Sequence, residues 1–125
     1  MTTMTTTTTN NDLKEPDAVT FAGADEWEFW LAEHHDNTAD IWLKIAKKGS
    51  GQTSITIGEA LDVALCYGWI DSQRKGCDAS HYLQRYSPRR PNSPWSAINI
   101  GKADTLIELG RMREPGFASL RRARQ

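Results

Sequence analysis

Apolar residues in this chain fall in two spacings, alternate positions and every third or fourth position, and each change of spacing marks an element. Met1 to Asn11 has neither spacing and is nearly all threonine. Such a segment has nothing to bury, so residues 1–18 are expected to form a disordered tail. Val19-Thr20-Phe21 alternates as a short strand does. Asp25, with Glu28 three residues on, reads as a capping box. Trp27, Trp30, Leu31 and His34 then follow at helical spacing, predicting an amphipathic helix over 26–35.

Ile41, Leu43 and Ile45 alternate with Trp42, Lys44 and Ala46, the pattern of a strand with an apolar face. Lys47 to Gly51 is a polar turn that lacks the further glycine, lysine and hydroxyl of a nucleotide-binding loop. Thr56 and Glu59 form a second capping-box pair. The stripe Leu61, Ala64, Leu65, Gly68 and Trp69 predicts a central helix that frays near Asp71-Ser72. Residues 76–80 read as a loop and 82–86 as a strand. Pro88, Pro91 and Pro94 exclude regular structure across the next segment. Ser93 is expected to cap a helix with Pro94 at its first position, ending at Gly110. Phe117 and Leu120 anchor a short last helix over 117–124. Residues 19–125 therefore predict one α+β domain. Its sheet is small, antiparallel and of about three short strands, covered on one face by about four helices.

Charge changes this picture little overall and sharply in places. The net charge is −1, which disfavours nucleic acid held by bulk charge. Residues 111–124 nevertheless carry five arginines against one acid, Glu114. Cys66 lies in an apolar run and Cys77 in a loop, without metal-ligand spacing. A reducing, cytoplasmic setting with no cofactor and no membrane insertion is expected, as neither a long apolar run nor a signal core is present. His34 and His35 point about 100° apart on a helix and do not converge on one ion.

The densest chemistry lies between Trp69 and Asn99. Arg89 and Arg90 precede the helix start expected at Ser93, where free N–H groups and the dipole favour an anion. Asp71 is expected to hold Lys75, Arg85 or Arg89, leaving spare donors toward a cleft. Trp69, Tyr82 and Trp95 supply aromatic walls, and Ser96 and Asn99 supply polar contacts. No nucleophile with an adjacent base is present, so no catalytic residue is assigned. A general acid–base reading would rest on Asp71 with Tyr82 or Lys75. An interaction module for a protein or nucleic acid would use Lys47, Lys48, Arg89, Arg90 and the 111–124 stretch. The binding of a small anionic or aromatic ligand fits the residues best.

Several blocks resemble the bacteriocin-protection, YdeI/OmpD-associated family. They are Phe21 with Trp27 and Trp30-Leu31, Trp42-Leu43, Ala46 to Ser50, Glu59-Ala60-Leu61 and Ala64 to Ser72. Arg85 to Arg90, Ser93 with Trp95-Ser96 and Asn99, and Glu108 to Met112 extend the match. The resemblance implies a small soluble α+β protein linked to resistance against bacteriocins or cationic peptides, with a porin as associated partner. It also implies a C-terminal region that this chain lacks.

Overall fold

The computed structural model describes residues 17–123; residues 1–16 of the tail expected over 1–18, with Arg124 and Gln125, lie outside the described residues. The elements run β1 (Ala18–Val19), α1 (Ala24–His34), β2 (Ile41–Ala46), α2 (Ile57–Cys66), β3 (Trp69–Gly76), β4 (His81–Pro88), α3 (Ala97–Glu108) and α4 (Glu114–Ala123). The fold is α+β. Its sheet has four strands in the order β1-β2-β4-β3. β4 pairs antiparallel with both β2 and β3, whereas β1 runs parallel to β2. The sheet is thus mixed, with four strands where about three antiparallel ones are expected. β1 and β2 are parallel because the chain crosses back along α1 between them. Ala18, assigned to the tail by its sequence, is the first residue of β1.

Register separates the two faces of the sheet. Leu43 and Ile45 of β2 are buried with Tyr86 of β4 in the same cluster as Trp27, Leu31, Leu65 and Trp69. Trp42 pairs with Arg85 and Lys44 with Leu83, so these residues point to the other face. Among the described residues, helices therefore pack on the face of Leu43, Ile45 and Tyr86. α2 is the central helix, touching α1, α3, α4 and β3. Its capping box forms as the sequence predicts: Glu59 N–H donates to Thr56 Oγ1 at 3.1 Å, and Thr56 N–H to Glu59 Oε1 at 3.0 Å. Two of the buried indoles find carbonyls. Trp27 Nε1 donates to Ala60 O at 3.0 Å and Trp69 Nε1 to His35 O at 3.3 Å.

Several boundaries differ from expectation, among them the start of α4 at Glu114 and the end of β4 at Pro88. α2 stops at Cys66, not near Asp71, because Gly68 takes φ +75° and turns the chain. β3 follows at once, a strand hidden in the sequence by its polar run Asp71 to Lys75. α1 begins at Ala24 with Gly23 at the cap position. Asp25 caps nothing there, and Glu26 instead accepts from Ala22 N–H at 2.8 Å. Glu28 is drawn away from any capping box, accepting from Tyr67 Oη and Arg113 Nε, both at 3.2 Å. Finally, α3 is capped by Ser96, whose Oγ accepts from Asn99 N–H at 3.1 Å, so the helix starts three residues later than Ser93 predicts. No helix of the described residues is long and apolar enough to cross a membrane.

Candidate functional site

Arg89 follows the last residue of β4. Its N–H donates to Gly68 O at 2.9 Å, which carries the end of that strand onto the turn between α2 and β3. The side chain is thereby directed inward, and the residue is only 8% exposed. The guanidinium carbon lies 4.3 Å from the centroid of the Trp95 ring. Nη2 donates to Pro94 O at 2.8 Å and Ser93 O at 3.2 Å. Nε is buried with no hydrogen-bond partner, as is Trp95 Nε1. No carboxylate pairs with Arg89 among the described residues. A guanidinium taken out of water normally has an anion beside it, because desolvation of the charge costs several kcal/mol. That burial pulls the Arg89 pKa below its usual value.

Arg89 lines a cavity of about 170 Å³, together with Trp69, Tyr67, His35, Asp36 and Arg122. Five segments meet there. His35 and Asp36 follow α1, Tyr67 and Gly68 form the turn after α2, and Trp69 opens β3. Pro88 and Arg89 end β4. Pro115, Ala118 and Arg122 share one side of α4 at helical spacing. α4 can approach because Gly68 is a glycine: a Cβ there would lie 2.8 Å from Pro115 O. His35 Nδ1 lies 3.0 Å from Leu31 O, a contact in which the ring nitrogen donates. Two arginines, one aspartate and a histidine thus face a volume of about five to six liquid waters.

The structure gathers only part of the cluster read from the sequence. Arg89, Ser93 and Trp95 come together around one guanidinium, and Trp69 lines the same cavity as Arg89. Ser96 Oγ is engaged in capping α3, where it accepts from the backbone N–H of Asn99. Arg90 is exposed beside them. Arg85 does not meet Asp71. Its Nε donates to Asp40 Oδ2 at 2.8 Å and its Nη2 stands 2.7 Å from the same oxygen, on the outer face of the sheet. Lys75 is also on that face, 5.5 Å from the Trp42 ring centroid. Asp71 sits opposite Tyr86 and has no ion-pair partner among the described residues. It helps burial to raise the Tyr86 hydroxyl pKa. Asp71 pairs with Tyr86 on the helix-covered face while Arg85, its neighbour in β4, leaves the other face, and the register break between Asp71 and Arg74 turns Lys75, which pairs with Leu83, to the side of Arg85. Tyr82 lies opposite Gly76, toward the far end of β3, so Asp71, Tyr82 and Lys75 form no acid–base cluster.

Four cavity residues, His35, Asp36, Tyr67 and Arg122, carry no signal in the sequence that would unite them. Only the 115, 118, 122 spacing hints that Arg122 shares a face with the start of its helix. No group of three or more histidine, cysteine, aspartate or glutamate residues suited to a metal occurs among the described residues. Cys66 and Cys77 are not joined to one another. Neither a curated protein nor a solved structure matches the chain. A family model, domain of unknown function DUF8412, matches residues 19–119, which takes in the sheet except Ala18 and every segment that lines the cavity up to Ala118; the chain belongs to that family.

Proposed function

We propose that this protein is a binding module for a small anion, held between Arg89 and Arg122, and that it catalyses no reaction at that site. One observation carries the reading: Arg89 is buried and, among the described residues, its Nε has no hydrogen-bond partner and its charge no counter-ion. Replacing a buried, uncompensated charge by an apolar residue is commonly neutral or favourable for stability, so stability alone does not account for an arginine here. Arg89 and Arg122 against Asp36 favour a ligand with one anionic group, such as a sulfate, a phosphate or a short carboxylate. The volume near 170 Å³ suits a ligand of that size. The flat Trp95 ring backs the guanidinium and fixes its plane, leaving its edge to an oxyanion.

The interaction-module alternative is less well supported. Two arginines of the basic C-terminal run are already engaged, Arg113 with Glu28 and Arg121 with Glu114. We place this anion binding in the cytoplasm and tie it to resistance against bacteriocins or cationic peptides, the link that the YdeI/OmpD-associated resemblance implies. A protein partner such as a porin belongs to that same proposal.

The test is thermal unfolding in sulfate or phosphate against chloride at equal ionic strength. Sulfate should raise the wild-type Tm above its chloride value. Arg89→Met should fold in chloride and lose the sulfate increment, and Arg122→Met should lose part of it. Arg90→Ala should keep it. Equal Tm values in the two salts for wild type would overturn the proposal.

A further inference from the structure

One side chain in the cavity of Arg89 belongs to the type that changes charge near neutral pH. Histidine ordinarily gains its proton between pH 5 and 8. Arginine and tyrosine titrate above that range and aspartate below it. The ionisable groups that line the cavity are His35, Asp36, Tyr67, Arg89 and Arg122. Burial pushes the Tyr67 hydroxyl further up. His35 is therefore the lining group suited to switch the charge of the site.

The ring is held in place from three sides. His35 is the C-terminal cap residue of α1, and its Nδ1 donates to Leu31 O at 3.0 Å. With Nδ1 carrying a hydrogen, Nε2 is the nitrogen left to take up a proton. The ring centroid lies 5.7 Å from that of Tyr67, in the turn after α2. Trp69 of β3 donates from Nε1 to the His35 carbonyl at 3.3 Å. The charged groups that share the cavity come from three elements: Asp36 after α1, Arg89 after β4 and Arg122 on α4. Glu28 lies behind Tyr67, where it accepts from Tyr67 Oη and from Arg113 Nε, both at 3.2 Å.

A proton on Nε2 adds both a positive charge and an N–H donor to the lining. A volume of about 170 Å³ is only about 7 Å across, so an anion inside it lies within the 4–6 Å over which an opposite charge favours the charged form of a group. Linkage then works in both directions: the anion favours the proton, and the proton favours the anion by the same factor. We propose that the site binds its anion together with a proton on His35, taking the anion up in mildly acidic solution and releasing it as pH rises. This rests on the reading of Arg89 and Arg122 as an anion site, and adds to it the residue that decides when the site fills.

Sulfate is the probe, because it keeps its double charge over the range in which histidine titrates, and any pH dependence then belongs to the protein. The histidine Cε1–H NMR signals of the full chain, followed from about pH 5 to 8 in sulfate and in chloride at equal ionic strength, test the coupling directly. The His35 curve should move to higher pH in sulfate. His34 and His81, which line no part of this cavity, should titrate alike in the two salts. Sulfate affinity should be on the order of tenfold higher at the acidic end, seen as a larger sulfate increment in Tm there. His35→Gln keeps an N–H donor for Leu31 O and takes up no proton, so its sulfate increment should be the same at both ends of the range. A His35 curve identical in the two salts, with sulfate still raising Tm, would overturn this inference and leave the anion site standing. A His35→Gln variant whose increment still falls as pH rises would do the same. The absence of any sulfate increment at either pH would overturn both.

Discussion

A Cβ placed on Gly116 would lie 2.5 Å from the carbonyl oxygen of Cys66, so α4 crosses the end of α2 at a separation that glycine permits and alanine does not. The obstacle is backbone, which cannot swing aside. The same crossing brings Pro115, Ala118 and Arg122 to the cavity of Arg89.

Gly116→Ala should therefore destabilise the fold by about 2 kcal/mol or more, as other forced overpackings do. Gly101, in the exposed part of α3, has nothing within 4 Å of its Cβ position. Gly101→Ala should stabilise by about 0.5–1 kcal/mol through helix propensity. Denaturant unfolding of the two variants should give shifts of opposite sign. Two shifts of the same sign would contradict the close crossing.

The cap of α3 gives a second comparison. Ser96→Ala removes the acceptor for Asn99 N–H and should cost about 1 kcal/mol. Ser93→Ala should cost less than about half as much, since the Ser93 hydroxyl is only a 3.5 Å neighbour of Arg89 Nη2. If Ser93→Ala proved the more damaging, the helix would begin where the sequence first suggests.

Asp71→Asn should change stability by less than about 0.5 kcal/mol, because no ion pair is lost. Asp40→Asn should cost up to about 1 kcal/mol, the range of a part-exposed pair with Arg85. The second effect should shrink as salt is added and the first should not. Equilibrium unfolding at two ionic strengths distinguishes them.

Cys66 supplies the pH dependence. Burial raises its thiol pKa from 9.0 to about 11. A folded-state pKa above the unfolded one favours the fold while the thiol is protonated. The contribution is complete below pH 9 and lost as pH climbs toward 11, by at most about 1.4 kcal/mol per unit. Cys66→Ala should therefore show a shallower fall in stability over that window than wild type. Matching slopes would show that the thiol does not sense burial.

Elements with strong periodicity were legible in the sequence. The Trp27, Trp30, Leu31 spacing located α1, and the Thr56–Glu59 pair located the start of α2 to the residue. β3 was not legible, since Asp71 to Lys75 has no apolar alternation, and Gly68 with Trp69 continues the stripe of α2. Gly68 also lets α4 pack close across it, through a contact with Pro115 nearly fifty residues away in the chain. The candidate site was legible in the same proportion. Arg89, Ser93 and Trp95 are near neighbours in sequence and meet. Asp71 and Arg85 fail to meet because the helix expected to end at Asp71 is a strand there, and strand alternation sends them to opposite faces.

β3 is an edge strand of the sheet, and its register breaks between Asp71 and Arg74. An edge with unpaired backbone groups is a template for further strands, whether from this chain or from another copy. Here the break bends the template, and Arg74 and Lys75 place charge along it. The polar run that hides β3 from sequence periodicity is thus also a guard against aggregation: it discourages the sheet from growing into a stack of copies at high concentration.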